Sequence, residues 1–366
     1  MDIYKDERIV MTLDAGGTNF VFSALQAGNE IVEPVTLESH PSNLDRCLKT
    51  VISGFELVKS LLTEQPVAIS FAFPGPADYK NGIIGDLPNF PSFRGGVALG
   101  PMLENIFRLP VFINNDGNLF AYGEAIGGIL PEINNKLKER GVNKEYKNLF
   151  GVTLGTGFGG GLVMNNQLCE GDNFAAGEIW LTRNFRNTKV NAEEGVSIRA
   201  VKRVYGEEAG TGEQVTPKDI YEIAVGDREG NQQAALRAFD EMALVMAESL
   251  ANAITLLDGI IVIGGGIAGA AKLLLPRVTE YLNGTIENLK GEKMPRLVSK
   301  VYNIDNAASL IDFTDWEEKE IRIPFTDKKV SYNSEKRIAI GLSRLGTSKA
   351  ISLGAYARAL VRLAMK

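Results

Sequence analysis

Two stretches of this chain share a plan that few architectures accommodate: an apolar strand, a glycine-rich turn, and a second strand directly after it. In the first, Ile9-Val10-Met11-Thr12-Leu13 reads as a buried strand, Asp14-Ala15-Gly16-Gly17-Thr18-Asn19 follows, and Phe20-Val21-Phe22-Ser23-Ala24-Leu25 is strand again. In the second, Asn148 to Leu154 is the strand, Gly155 to Gly161 the turn, and Leu162-Val163-Met164 the return, with Asn165-Asn166 as the next tight turn. A Walker A loop or a dinucleotide fingerprint must open a helix. These turns instead close hairpins. The repetition predicts an internal duplication.

Around them helices and strands alternate, which makes the class α/β. A helix begins at Ser42-Asn43-Leu44-Asp45, with Leu44, Cys47, Leu48, Val51 and Ile52 on one face. Pro66 to Phe73 is a strand ending at Pro74-Gly75-Pro76, Asn81-Gly82 signals a hairpin, and Leu109 to Asn114 is a strand before a helix near Asp116. Thr216-Pro217 starts a helix, Gln232 to Leu257 is a long one, and Gly259 to Ile263 is a strand running into Gly264-Gly265-Gly266. Leu130 to Lys147 reads as a helical insertion with a solvated face, and Ser348 to Lys366 as a terminal amphipathic helix. The charged stretch 305–337 contains strand-like pieces such as Ile321-Arg322-Ile323 and has no functional reading. At roughly 150 residues per domain, 366 residues predict two.

Composition narrows the function by exclusion. The 39 Lys and Arg against 45 Asp and Glu give a net charge of −6, which argues against nucleic acid as a partner. Two cysteines and one histidine cannot assemble a structural zinc site or a zinc protease centre. His40, in Glu38-Ser39-His40-Pro41, has no nucleophile motif beside it and reads as a surface-loop residue. The apolar region Ala243 to Leu275 is interrupted by Glu248, Asp258 and glycines, so no membrane span is expected. The charged start and two free thiols lead us to expect a cytoplasmic protein.

Three glycine turns, each at the end of an apolar strand, offer backbone N–H groups without side-chain obstruction, the chemistry of a phosphate cradle. Any one alone is weak evidence; three, with Asp14 leading the first, are harder to dismiss. Asp14 at a strand end could hold Mg2+ through water near a polyphosphate. Asp116, between a strand and a helix, is either a helix N-cap or a general base taking a proton from a substrate hydroxyl. Glu178, Glu193 and Glu194 add carboxylates that suit recognition of neighbouring hydroxyls. Taken singly, Glu193 and Glu194 are a solvated helix start.

Together these motifs resemble the ROK family of sugar kinases and repressors, with the actin-like ATPase (ribonuclease H-like) fold. Asp14 to Asn19 looks like its first phosphate loop, Ala72 to Ala77 its proline-glycine loop, and Leu87-Pro88-Asn89-Phe90 its sugar-contacting Pro-Asn motif. Asn115-Asp116 resembles the catalytic pair, Leu154 to Gly161 the second phosphate loop, Ala176-Gly177-Glu178 the sugar-binding segment, and Ile263 to Ile267 the adenosine loop. The resemblance implies two actin-like domains with a cleft between them. The small N-terminal one would be 1–125, completed by helix 348–366, and the large one 126–347, with the second phosphate loop and the adenosine loop. It implies ATP and Mg2+ as cofactors, Asp116 as base, and Gly75, Asn89, Asn115, Glu178 and Glu193 around a small-molecule sugar. Gly16, Gly17, Thr18, Asn19, Gly155, Thr156, Gly157, Gly264, Gly265 and Gly266 would hold the nucleotide. A homodimer rests on the resemblance alone.

The departures carry information. The family's segment continues to a histidine that serves zinc and sugar, but here the chain reads Glu178-Ile179-Trp180-Leu181, and 184–192 lacks the cysteines that follow. The zinc site is therefore expected to be lost as a unit and replaced by apolar packing around Trp180 and Leu181. Glu193 keeps the family's spacing to Ser197. The expected activity is ATP-dependent phosphorylation of a hexose or N-acetylhexosamine at the 6-hydroxyl. The alternative is a catalytically silent sugar or nucleotide sensor. A repressor would carry a helix-turn-helix before the first loop, and with 13 residues ahead of Asp14 none is expected.

Overall fold

The computed structural model describes residues 2–75, 77–85, 91–210 and 215–365. In chain order its framing elements begin with β1 (Val10–Ala15), β2 (Asn19–Gln26), α1 (Leu44–Leu61), β3 (Ala68–Ala72), β4 (Val111–Asn114) and α2 (Asp116–Gly127). Next come α3 (Ile129–Glu139), β5 (Leu149–Leu154), β6 (Phe158–Met164), α4 (Gln232–Leu257) and β7 (Ile260–Gly264). The last are α5 (Ala271–Leu282), β8 (Lys300–Asn303), β9 (Arg337–Leu342) and α6 (Thr347–Ala364). Two units form. One comprises Met1–Gly128, Gln167–Gly177 and Leu345–Lys366, the other Ile129–Asn166 and Glu178–Arg344.

The two sheets have the same build. In the first unit β2 pairs antiparallel with β1, and β1, β3 and β4 run parallel in that order. In the second, β6 pairs antiparallel with β5, and β5, β7, β9 and β8 run parallel. The duplication read from two glycine turns is thus a duplication of sheet topology. All residues of β3 are buried, as expected of a parallel strand covered on both faces.

The first unit's core is rich in phenylalanine. Helix α1 is capped by Asn43, whose side chain accepts the Arg46 N–H at 3.0 Å. It buries Cys47, Val51, Phe55 and Val58 completely, and Phe55 meets Phe22 edge-on at 5.2 Å between centroids. Full burial of one such apolar side chain contributes about 1.5–3 kcal/mol. Helix α6 is covered almost all round between residues 350 and 360, not along one stripe. The expected amphipathic helix is thus a core helix. Its crossing with α2 is backbone against backbone. A Cβ at Gly123 would lie 1.9 Å from the Ala350 carbonyl oxygen, and one at Gly354 2.0 Å from that of Leu119. The fully buried Tyr356 donates its hydroxyl to the Asp6 carbonyl at 2.9 Å and accepts the Ala27 N–H at 3.0 Å.

Several expectations are corrected. Strand β6 starts at Phe158 rather than Leu162, because Gly159, Gly160 and Gly161 pair in register with Thr153, Val152 and Gly151. The turn is therefore only Gly155-Thr156-Gly157. The insertion helix α3 stops at Glu139, and Tyr146 beyond it is buried against Phe313 at 5.9 Å. Residues 167–177, placed by sequence in the second half, join the first unit. The charged stretch holds a helix, Ala307–Thr314, and an exposed hairpin of Lys319–Arg322 with Lys329–Tyr332. The Asn81-Gly82 signal does mark a hairpin, between Ala77–Asp78 and Ile83–Ile84. Helix α4 has the bounds read from sequence, fixed by the Asn231 cap and a left-handed Asp258.

Candidate functional site

In the first unit the candidate residues lie along one edge of the sheet. Asp14 of β1 stands in register with Ala72 of β3, and Ala72 with Asn114 of β4. The strand ends present, in a row, the first glycine turn, the segment Phe73 to Gly75, and the turn into α2. Gly16, Gly17, Thr18 and Asn19 link β1 to β2. Ser39, fully buried, fastens this turn: its N–H donates to the Thr18 carbonyl at 2.9 Å and its hydroxyl to that of Gly17 at 2.7 Å. Sequence reasoning missed Ser39, since it belongs to no motif and adjoins a dismissed histidine. Gly75 sits beside Tyr79, whose hydroxyl donates to the Phe73 carbonyl at 3.0 Å. Asn89 lies outside the described residues.

The two roles open to Asp116 are separated by the geometry. Asn115 is the N-cap of α2, its Oδ1 accepting the N–H groups of Gly117 at 2.8 Å and Asn118 at 3.4 Å. Asp116 is the first helical residue, with Oδ1 accepting the Gly117 N–H at 2.8 Å. Its side chain is exposed to solvent at the helix start, with protein packed densely around the strand ends beside it. Desolvation raises its pKa above the usual carboxylate range; backbone N–H donors oppose the rise and the charge of Asp14 adds to it. Behind it, buried Asn114 accepts the Asn115 N–H at 2.7 Å and an amide proton of the Asn118 side chain at 3.1 Å.

In the second unit the strand ends of β5 and β7 adjoin, Thr153 in register with Gly264. Gly155, Thr156 and Gly157 form the turn into β6, closed by the Gly155 N–H on the Gly157 carbonyl at 3.0 Å. Gly265 follows β7 at φ 90°, where a Cβ would lie 2.3 Å from the Leu154 carbonyl oxygen. Only glycine lets these two turns approach so closely. Gly266 begins a short 3-10 helix and has open space where a side chain would be. Glu193 braces the first of these turns. Its Oε2 accepts the Phe158 N–H at 3.0 Å and its Oε1 pairs with Arg199 at 3.1 Å.

Glu178 accepts a hydrogen bond from the indole N–H of Trp180, and Trp180 packs against this unit's core. Leu181, however, is 58 % exposed, so the expected apolar replacement around both residues does not form. The cysteine-free loop is held by the buried amide of Asn184 instead. Its Oδ1 accepts the N–H groups of Arg186 at 3.0 Å and Asn187 at 3.3 Å, and its own N–H donates to the Val190 carbonyl at 3.1 Å. A buried polar side chain satisfied this way closes a loop. Among the described residues no group of three or more His, Cys, Asp or Glu side chains is placed to hold a metal ion. No helix among them is long and apolar enough to cross a membrane.

A hairpin followed by parallel strands, built twice and ending both times in glycine turns, is the fold of the actin-like ATPase and hexokinase class. The ROK family profile matches residues 10–308, and the chain belongs to the ROK family. A crystal structure of glucokinase from Parabacteroides distasonis is similar over 98% of this chain and 99% of that one, with 54% identity and a TM-score of 0.88. Glucokinase from Thermotoga maritima is 27% identical over 74% of this chain and 87% of its own length. N-acetyl-D-glucosamine kinase from Vibrio cholerae is 33% identical over 45% of this chain and 50% of its own.

Proposed function

We propose that this ATP-dependent sugar kinase phosphorylates a hexose or N-acetylhexosamine at its 6-hydroxyl, with Asp116 as the general base. The observation that carries this reading is the division of labour at the start of α2. Asn115 caps the helix, and Asp116 is left with one oxygen on a backbone N–H and a pKa raised by desolvation. A base poised nearer neutral pH is better matched to a hydroxyl proton. Asp116 Oδ2 takes that proton as the sugar oxygen bonds to the γ-phosphorus and the bond to the leaving ADP oxygen breaks. The relatives support the substrate class, since two are named for glucose and one for N-acetylglucosamine.

The remaining residues fall into roles around this step. Glu178, with one oxygen on Trp180, and the Asn115 amide hold sugar hydroxyls, as do Asn89 and Gly75. The turn fastened by Ser39 and the turn braced by Glu193 bind phosphate oxygens through backbone N–H groups. Any sugar contact of Glu193 is shared with Arg199. Gly266, open where a side chain would be, leaves room for the nucleoside beside Gly264 and Gly265. Asp14, which belongs to no cage of three or more carboxylates among the described residues, fits Mg2+, which keeps its waters and binds through one or two carboxylates and substrate phosphates. When bound, that ion supplies charge neutralisation of the phosphates. Two free thiols fit a reducing cytoplasm.

The test is ADP release from ATP and Mg2+ across glucose, mannose, fructose, allose, N-acetylglucosamine and N-acetylmannosamine, with wild type and Asp116→Asn. A sugar-dependent rate that falls about 10²-fold or more in the variant is expected, with phosphorus NMR placing the phosphate on the 6-oxygen. Near-full turnover in Asp116→Asn would overturn the base assignment. A wild type that binds ATP but shows no sugar-dependent rate would leave the silent sensor as the reading.

A further inference from the structure

Asn114, the last residue of β4, can fasten the turn to Asp116 only in one orientation of its amide. Its Oδ1 must face the backbone N–H of Asn115, with the Asn118 side chain against the same oxygen, so its Nδ2 must point the other way. There it meets Glu170, whose Oε1 accepts the Asn114 Nδ2 hydrogen at 2.5 Å. Glu170 is itself held by two arginines of α6, Arg358 at 2.5 Å on Oε1 and Arg362 at 3.1 Å on Oε2. Its side chain is 12% exposed and that of Arg358 10%, so this is a desolvated ion pair. All of these residues belong to the first unit, although Glu170 stands in the short segment 167–177 that the chain contributes to it from between two stretches of the second.

An asparagine amide reversed by 180° swaps donor for acceptor, and only its partners decide which orientation holds. A reversed Asn114 would set its NH2 against the Asn115 N–H, donor against donor, and a backbone N–H cannot turn with it as the Asn118 side chain could. We infer that Glu170 is a positioning residue for the reaction: by accepting from Asn114, and being held by Arg358 and Arg362, it orients the turn that aims Asp116. This rests on the reading of Asp116 as the base. The buried pair is an uneconomical way to stabilise a fold, since apolar residues of similar volume are often as good. An acceptor required at one atom gives it a different purpose.

Replacing Glu170 alone would strand Arg358 as a buried unpaired charge and unfold the unit. The test therefore changes both. Glu170→Leu with Arg358→Met removes the pair and the acceptor; Glu170→Gln with Arg358→Met removes the pair and keeps a carbonyl acceptor for Asn114. With both double variants melting alike, the acceptor-less one is expected to lose kcat by about 10- to 100-fold, the range for misplacement of a reacting group. Its KM for sugar and ATP should stay within about twofold, while the Gln variant keeps kcat within about threefold. Equal kcat in the two variants, or a loss confined to KM, would overturn the inference. Hydrogen exchange at the amides of Asn115 to Asn118 provides a readout without turnover, faster in the acceptor-less variant only. If the wild type itself shows no sugar-dependent rate, the kinase reading fails and exchange alone decides: equal protection in the two variants then sinks this inference.

Discussion

The crossing of α2 and α6 makes a stability forecast with a geometric magnitude. Gly123→Ala would place a Cβ 1.9 Å from the Ala350 carbonyl oxygen, 1.5 Å short of the 3.4 Å at which ordinary contact begins. Neither partner is a flexible side chain, so the two helix backbones must separate along the crossing. Overpacking of this kind costs up to about 3 kcal/mol, and alanine's better helix propensity returns about 1 kcal/mol. The net loss of about 2 kcal/mol corresponds to a fall of about 4–8 °C in the melting of a unit of this size. The assay is urea and thermal unfolding followed by circular dichroism, reading the first transition. Gly269→Ala is the control, because nothing lies within 4 Å of its Cβ position. If Gly123→Ala melts within 1 °C of wild type, taking about 1 °C as the reproducibility of such a scan, the close-packed crossing is wrong.

Other outcomes follow from the same structure. Asp116→Asn should be at least as stable as wild type at neutral pH while losing turnover. Its folded carboxyl titrates above the unfolded value, so the cost of holding the charge is absent at low pH and full above the folded pKa. Urea midpoints at pH 4 and 7 check this. The rate should fall as pH drops through the raised Asp116 pKa, and Asp14→Asn, by removing a like charge, should move that acid limb of kcat/KM to lower pH. Trp180→Phe removes the donor to Glu178 and should raise the sugar KM about tenfold, the scale of a hydrogen bond to a charged group; an unchanged KM would separate Glu178 from the sugar. Cys47 is fully buried and its thiol is pushed up to about 11 by desolvation. In the folded protein a thiol reagent should therefore modify Cys169 and spare Cys47 until denaturant is added.

What was legible in the sequence is what local chemistry specifies. Both hairpins showed because apolar runs flank glycines, and α4 showed its ends because Asn231 and Asp258 are good caps. The glycine run that becomes the start of β6 was read as turn, since glycine is a poor strand former and only pairing with β5 overrides that. Asn115 and Asp116 are equally good cap residues by type, so their division of labour needed coordinates. The attachment of residues 167–177 to the first unit runs through Glu170 and two arginines nearly two hundred positions later, for which no local pattern exists. Nor does composition foretell that Leu181 faces solvent while Asn184 closes the loop.

The path of the chain between its two units sets an order of events during synthesis. The polypeptide passes from one unit to the other after Gly128, Asn166, Gly177 and Arg344. The ribosome therefore delivers β1 to α2 first, yet the groove on α2 that receives Gly354 stays vacant until α6 has left the exit tunnel. Throughout that interval the nascent first unit displays the sheet face around Ser70, which α6 later covers, and an unclosed helix, the kind of surface that holdase chaperones bind. The second unit has all of its own segments out by Arg344 and can mature while the first still waits. A nascent chain stalled at that point should carry one protease-resistant half and one that yields the strands flanking its first glycine turn to cleavage.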